Sequence, residues 1–177
     1  MTFVECLCTI CLVTLMACTE RTEQTRATAD TTLAMPTHVA YGITVHFTDS
    51  SRTKARLRGS VARIYEDRME TTLAGGVFVE FFSTSTGKRA ATLRSDSAWI
   101  DDRTKNMMAI GNVIVIADSS NTRLSTPRLF WDSATERVSS TERVSIVSPK
   151  ETIDGVGFES DQALTSYRIY NVRGVQR

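Results

Sequence analysis

The feature that most constrains the fold of this chain is an alternation of apolar and polar residues with a period of two, which starts at His38. Alternate side chains of a β-strand point to opposite faces, so this period predicts a strand with one wet face. The predicted dry face carries Val39, Tyr41, Ile43, Val45 and Phe47, and the predicted wet face carries His38, Ala40, Gly42, Thr44 and His46.

A sequence pattern typical of β-strands continues to the C-terminus. Short segments rich in Val, Ile, Thr and aromatic residues follow at 56–65, 69–73, 77–82 and 90–93, and beyond. Turn-forming residues separate them at 49–51, 75–76, 85–88, 111–112 and 118–121. We find no convincing helix after residue 37. Regularly spaced strands of this kind predict an all-β domain, either a sandwich or an open, folded-over antiparallel sheet.

A weak internal repeat with an offset of 31 residues sharpens this prediction. The offset aligns Leu93 with Leu124, Ala98 with Leu129, Ile100 with Trp131, Asp101 with Asp132, Thr104 with Thr135, Met107 with Val138, Val113 with Val144 and Val115 with Ile146. Each unit is a strand that ends in Asp, a turn, and a second strand. We therefore expect the two units to be stacked hairpins.

The N-terminus resembles a bacterial lipoprotein signal. All four cysteines lie in the first 18 residues, and the apolar run 6–16 is too short to span a bilayer as a helix. It leads into Leu-Met-Ala-Cys, which resembles a lipobox and predicts a signal peptide at 1–17 with Cys18 as the lipid anchor. Residues 18–37 then form a predicted disordered tether, and residues 38–177 form the folded domain.

Two alternatives to the lipoprotein interpretation stay open, a plain signal peptide and an apolar stretch of the fold. Residues 1–5 contain no Lys or Arg and include an acid, which is unusual for a secretory signal. Cleavage before Cys18 would leave the mature protein with one cysteine, which would be acylated. A zinc site or disulfide framework is then excluded.

The charge balance limits the class of partner. The 21 Lys and Arg residues nearly match the 20 Asp and Glu residues, so no overall field attracts the whole chain to nucleic acid or to an anionic membrane surface. The length of 177 residues suits one domain with a real core. We expect partners to be recognised by local surfaces.

The repeat unit and the C-terminus resemble the LptC family, a component of the lipopolysaccharide export system. The resembling residues are Ala-Trp-Ile-Asp at 98–101, Gly-Asn-Val-Ile-Val at 111–115, and the segments 155–164 and 167–174. The resemblance implies a twisted, partly open β-jellyroll whose apolar groove accepts the acyl chains of lipid A. It implies transfer from an inner-membrane ABC exporter at the N-terminal edge to a soluble periplasmic bridge protein of the same fold at the C-terminal edge.

The anchor departs from the pattern of that family. Better-known members use an N-terminal transmembrane helix, whereas Cys18 would serve here. We expect the protein at the periplasmic face of the envelope, on the inner membrane in preference to the outer.

The alternation of side chains within the repeat and the family resemblance together define a set of lipid-groove candidates. They are Ala98, Ile100, Val113, Val115, Leu129, Trp131, Val144, Ile146 and Phe158, with Met107 nearby. The same residues would form the closed core of a β-sandwich that acts as an envelope scaffold or adhesion module, and the residues alone favour that alternative. An exposed terminal strand at 167–172, with Tyr167, Ile169 and Val172, is the candidate partner-docking edge.

Polar residues offer weaker signals. Arg52, Arg56, Arg58 and Arg63 suit lipid phosphates, although most such residues are simply solvated. His38 and His46 lie roughly 26 Å apart along an extended strand and cannot share a metal. The Ser-x-x-Lys pattern at 85–88 lies in a predicted turn, whereas that catalytic motif works at the start of a helix.

Asp101, Asp102 and Asp132 suit either a divalent cation or turn capping, and we favour capping. No nucleotide-binding or nucleophile motif is present in the sequence. We therefore predict a protein that is not an enzyme and has no cofactor and no metal.

Overall fold

The computed structural model describes residues 35–176, which form one antiparallel sheet of eleven strands. The strands are β1 His38–Asp49, β2 Arg52–Tyr65, β3 Glu70–Phe82, β4 Arg89–Ser95, β5 Ser97–Asp101, β6 Met107–Ala117, β7 Arg123–Asp132, β8 Arg137–Val147, β9 Thr152–Asp161, β10 Tyr167–Ile169 and β11 Gly174–Gln176. One 3-10 turn at Glu66–Arg68 is the single helical element of this part of the chain. The predicted all-β class is confirmed.

The strands follow one another across the sheet. The order is β1-β2-β3-β4-β6-β7-β8-β9-β10, β5 pairs with β3 and β6 as the continuation of β4, and β11 pairs with β9. The connections are short turns, so the sheet is a meander whose first edge is β1 and whose last edge is β10 with β11.

Every long strand is interrupted near its middle. Register shifts occur at Gly59/Val61 in β2, Ile110/Val113 in β6, Ser125/Phe130 in β7 and Ser140/Arg143 in β8. A β-bulge bends its strand, and bulges aligned across neighbouring strands bend the whole sheet. We call this row the bend line; it runs through Gly42, Ser60, Gly75, Gly76, Asp96, Gly111, Asn112, Pro127, Thr141, Glu142 and Gly157.

Asp96 joins three strands at the bend line. Its backbone carbonyl accepts a hydrogen bond from Gly76 N at 3.0 Å, and its N–H donates to Gly111 O at 3.0 Å. Its carboxylate accepts from Asn112 Nδ2 at 2.8 Å. Gly111 has a φ of +78°, and a Cβ there would lie 3.0 Å from Asp96 Cβ, so glycine is required on two grounds.

The bend folds the sheet into two layers that share one apolar interior. Layer A contains 43–49, 52–59, 77–82, 89–95, 113–117, 123–126, 144–147, 152–155 and 174–176, and layer B contains 38–41, 61–65, 70–74, 97–101, 107–110, 128–132, 137–140, 158–161 and 167–169. The largest buried side chains, Trp131, Phe81, Phe158 and Leu57 among them, come from both layers. Their burial supplies most of the driving force for closure.

The bend corrects the prediction for β1. Ile43, Val45 and Phe47 contribute to the core as expected, but Val39 is 46% exposed and Tyr41 is 77% exposed. Ala40, predicted to be on the wet face, packs against the core instead. Gly42, with a φ of +60°, interrupts the alternation, because a residue in the left-handed region reverses which face the next side chains occupy.

The predicted 31-residue repeat is confirmed. The unit β4–β5–β6 corresponds to β7–β8, and the turns after Asp101 and Asp132 have the same construction. Each carboxylate accepts hydrogen bonds from the backbone N–H groups two and three residues later, at 2.8–3.0 Å. Lys105 and Glu136, 31 positions apart, both have positive φ. Ser133 Oγ donates to Thr104 O at 2.7 Å, which stacks one turn on the other.

Candidate functional site: the interior between two sheet layers

All nine groove candidates face the shared interior. Val113, Val115, Val144 and Ile146 lie in layer A, and Ala98, Ile100, Leu129, Trp131 and Phe158 lie in layer B. None is more than 3% exposed, and Met107 is 1% exposed. The structure therefore brings the set together, in a closed interior. An acyl chain could lie among these residues only if the two layers moved apart.

An aromatic cluster joins the free ends of the layers. Phe47 and Phe81 of layer A pack edge-on against Trp131 of layer B, with ring centroids 5.3 and 5.5 Å apart. Edge-to-face aromatic pairs contribute roughly 0.5–1.5 kcal/mol beyond their buried area. This cluster is the strongest identified apolar contact across the opening opposite the bend.

An ion-pair clasp lies beside the aromatic cluster. Lys54 Nζ of β2 is 3.1 Å from Glu136 Oε1 of the β7–β8 turn and 3.2 Å from Asp49 Oδ2 at the end of β1. The Lys54 side chain is 14% exposed. Its hydrogen bond to Glu136 raises the pKa of Lys54, so the ammonium stays charged and the clasp is maintained at neutral pH.

A second polar contact crosses between the layers. Gln162, which follows β9, donates from Nε2 to the carbonyl of Phe82 at 3.1 Å, 80 positions away in the chain. Gln162 is 6% exposed, and within residues 35–176 its Oε1 has no hydrogen-bond partner.

A cavity of about 460 Å³ opens between the layers beside these contacts. Its wall includes Val45, Phe47, Ile100 and Trp131, together with Lys54, Asp102 and Lys105. Asp49 also lines it, and Trp131 Nε1 is buried without a hydrogen-bond partner within residues 35–176. The cavity therefore combines an apolar wall with two lysines and two acids, which suits an amphipathic ligand.

Both edges of the sheet are open along the described chain. β1 is a strand of 12 residues that pairs on one side only, with β2. At the other end, β10 and β11 each contain 3 residues and pair only with β9. An unpaired strand edge presents backbone donors and acceptors to a neighbour that could continue the sheet.

The predicted docking strand at 167–172 is shorter than expected. Tyr167 and Ile169 belong to β10 and pack partly against the core, but Val172 lies between β10 and β11 and is 53% exposed. The chain leaves the strand at the bend line, where Asn171 has a φ of +44° and Tyr170 faces Gly157 of β9. The predicted extent of the strand was wrong at Val172, because the terminal strand is divided by the same bend as its neighbours; the docking role of the three residues stays a prediction.

Two of the four predicted arginines form a compact cluster on the outside of layer A. Arg56 and Arg58 both donate to the carboxylate of Glu80, at 2.8–2.9 Å. Hydrogen bonds from Arg58, then from Arg56, hold the pKa of Glu80 below its ordinary value despite its burial. Arg52 instead donates to Thr84 O at 2.7 Å, and Arg63 is an exposed residue of layer B.

The remaining polar signals have structural roles. His38 pairs with Glu66 at 3.3 Å on the surface. Asp102 accepts a hydrogen bond from Thr71 Oγ1 at 2.8 Å, while Asp101 and Asp132 cap turns as favoured. Residues 85–88 form part of the β3–β4 connection. Within residues 35–176 no three His, Cys, Asp or Glu side chains form a group that could hold a metal.

Cys18, the signal peptide and residues 18–34 of the predicted tether lie outside the described residues. Thr37, the last residue of the predicted tether, donates from its backbone N–H to Ile64 O at 2.7 Å and so already belongs to the folded domain. Within those residues, no helix has the length and apolar character needed to cross a membrane.

Sequence reasoning missed the residues that join the two layers. Lys54, Glu136 and Gln162 come from distant parts of the chain, and no local pattern indicates that they meet. The pairing of Glu80 with a cation could have been predicted from the sequence, because this lone acid alternates with Phe78 and Phe82 on an otherwise apolar strand. Such an acid is expected to be buried only with a cationic partner.

The chain matches one family model and is similar to a solved structure. The family model described as "Lipopolysaccharide-assembly, LptC-related" matches residues 6–176. Among solved structures, the chain is similar to LptH of Pseudomonas aeruginosa, described as the LptA homologous periplasmic component of the conserved lipopolysaccharide transport device. That match has a TM-score of 0.52 and 13% identity, and covers 66% of this chain and 82% of LptH. No curated protein matches the chain.

The likeness to LptH supports the β-jellyroll fold, and the family match extends over nearly the whole sequence. Proteins of this type are periplasmic transport components and not enzymes. The chain belongs to the LptC-related family of lipopolysaccharide-assembly proteins.

Proposed function

We propose that this protein is a membrane-tethered member of its family that binds the acyl chains of lipid A between its two sheet layers. It receives them from the inner-membrane exporter and passes them to a soluble bridge protein of the same fold. The observation that carries the proposal is the interior itself, in which all nine groove candidates face one apolar core that lies between the two layers and reaches their free edge.

The geometry suits an acyl chain because that ligand needs desolvation and no chemistry. Each CH₂ group moved from water to an apolar interior gains about 0.8 kcal/mol, so a chain of ordinary length can offset the loss of packing between the layers. The cavity beside Trp131 is the proposed point of access. When the layers separate, the indole N–H would donate to an ester or amide carbonyl of the lipid, and Lys105 would lie near its phosphates.

The open edges suit transfer between proteins. A neighbour that adds a strand to β1 or to β10 and β11 would align its interior with this one, and would give a continuous apolar path from protein to protein. We assign β1 to the exporter and the C-terminal edge, including Tyr167 and Ile169, to the bridge protein. The tether through Cys18 would keep the domain beside the inner membrane.

A charge placed in the interior tests this function. Ile100→Asp places a carboxylate among the groove candidates, whereas Trp99→Asp places the same charge on the opposite face of β5. We expect lipopolysaccharide to co-purify with the Trp99 variant and the unaltered chain, but not with the Ile100 variant.

A buried carboxylate can also unfold the domain, so circular dichroism and thermal unfolding must accompany the assay. Val115→Thr, a smaller polar change at another groove position, provides a second variant. Undiminished co-purification with a folded Ile100→Asp chain and with Val115→Thr would contradict the proposal and would favour a closed β-sandwich scaffold without lipid cargo.

A further inference from the structure

A cluster of four arginines covers the outer face of layer A, opposite the apolar interior. We call Arg56, Arg58, Arg89 and Arg94 the arginine cluster. Arg58 and Arg94 flank Phe78 in register on the two neighbouring strands, with their guanidinium carbons 5.4 and 5.1 Å from the ring centroid. The contact with one ring holds both cations in place without neutralising them.

The acids near the cluster do not balance its charge. Glu80 is shared between Arg56 and Arg58, with Arg89 at 3.9 Å, and Arg89 also pairs with Asp118 at 2.7 Å. Arg94 is exposed and makes no ion pair within residues 35–176. Four cations therefore face two acids, and the side chain of Glu80, at 8% exposed, presents little negative charge to solvent.

Shallow hollows lie on both sides of the cluster. One, of about 550 Å³, is lined by Arg58, Phe78 and Arg94 and by the bend-line glycines Gly42 and Gly76. A Cβ at either glycine would meet nothing within 4 Å, so this part of the surface is open backbone. The other, of about 570 Å³, is lined by Arg52, Arg56 and Phe82. Each hollow combines guanidinium groups with the side of an aromatic ring.

We propose that the arginine cluster is a contact surface for anionic phospholipid headgroups of the membrane to which the chain is tethered. Guanidinium groups bind phosphate oxygens in a bidentate manner, and half-buried Phe78 and Phe82 with exposed Ile116 suit the boundary between headgroups and acyl chains. A broad surface with several hollows matches an array of headgroups better than it matches one small anion.

The position of the cluster separates this ligand from the transported lipid. Residues 77 and 79 face the interior, while residues 78 and 80 face outward on the same strand. A lipid whose chains lie in the interior has the full thickness of the sheet between its chains and this surface. The anions at the cluster therefore belong to a different molecule. This proposal rests on the proposed function in one respect only, because it needs a tether that keeps the domain beside a bilayer.

Vesicle partitioning tests this surface. The full chain carrying Cys18→Ala is mixed with vesicles of phosphatidylcholine alone or with about a third phosphatidylglycerol, and the bound fraction is measured by sedimentation. We expect preferential binding to the anionic vesicles. Arg94→Gln should reduce that binding roughly five-fold, and addition of Arg58→Gln should reduce it roughly five-fold again, since each cation near such a surface contributes about 1 kcal/mol.

The matched control is the double variant Arg63→Gln with Arg137→Gln, which removes the same charge from exposed positions of layer B. This double variant should change the fraction bound to anionic vesicles little. Arg94→Gln breaks no ion pair, so it remains informative if Arg58→Gln disturbs Glu80. Equal binding to both vesicle types, or equal effects of cluster and control variants, would overturn the proposal.

If the cluster variants lose co-purification with the exporter but keep their vesicle binding, the surface contacts an acidic protein instead, which also overturns the proposal. Lipopolysaccharide binding in the interior should be unchanged in all these variants. A failure of the proposed transport function is therefore distinguishable from a failure of this surface.

Discussion

Asp101 and Asp132 show how one residue type fixes the ends of the repeated hairpins. Hydrogen bonds from backbone N–H groups, those of Thr104 and Thr135 foremost, hold the pKa values of both carboxyl groups below their ordinary value of 3.8. A lowered pKa in the folded state means that the ionised form stabilises the fold. This contribution is fully present above the unfolded-state pKa and is lost as the pH falls through the folded-state pKa.

Asp132→Asn keeps the shape of the turn and removes the charge. We expect the variant to have a lower urea midpoint than the unaltered chain at pH 7, and the difference to vanish as the pH falls through the lowered folded-state pKa of Asp132. Asp67→Asn, on the exposed 3-10 turn, removes the same charge from a residue outside the repeat. A difference for Asp132→Asn that persists unchanged in acid would contradict the electrostatic account of the turn.

At the residue scale, the sequence predicted well which face of its strand each side chain occupies, except near the bend. The 31-residue alignment selected eight groove candidates that are all buried, because a period of two survives as long as no bulge intervenes, and Phe158, which lies outside the alignment, is buried as well. Val39 and Tyr41 were assigned to the wrong face because Gly42 was taken as an ordinary strand residue. A glycine inside a strand pattern indicates a bulge, and that signal was present in the sequence.

At the scale of strands, the contacts between the free ends of the layers decide how readily the interior opens. The ion pair of Lys54 with Glu136 and the packing of Phe47 on Trp131 join segments that are distant in the sequence. Local patterns predict strands and turns but not which layers meet, so the strand content was predicted and this closure was not. In the proposed transport cycle, these contacts must break each time a lipid is taken up.

Lys54→Met removes both ion pairs and keeps much of the apolar stem. We expect the free energy of unfolding to fall by at most about 1 kcal/mol, because the pairs are partly screened by solvent. If lipid binds only the open form, the same change raises the open population and the apparent affinity for lipopolysaccharide by up to about five-fold. Equilibrium binding of fluorescent lipopolysaccharide measures the effect.

The control for this prediction is Lys88→Met, in the exposed β3–β4 connection. Lys88→Met should leave the binding constant for lipopolysaccharide unchanged. Weaker or unaltered binding in Lys54→Met, together with a measured loss of stability, would mean that separation of the layers does not limit lipid uptake.

At the scale of the whole molecule, one bent sheet provides an apolar interior, two open edges and a cationic outer face. The family match predicts the architecture, since LptC-related proteins share this jellyroll. The closed state of the interior could not be predicted from the sequence, because the same alternation fills a closed core or lines an open groove. What separates the two is how the facing side chains of the two layers pack together, which no local pattern encodes.

The most direct test of the central claim is photocrosslinking in cells from an unnatural residue at position 131, detected with antibody to lipopolysaccharide. Position 130, the neighbour on the opposite face of β7, is the matched control. We predict a lipopolysaccharide ladder from position 131 and none from position 130. No ladder from position 131, in a chain that is folded and membrane-bound, would contradict the account and identify the interior as a closed core.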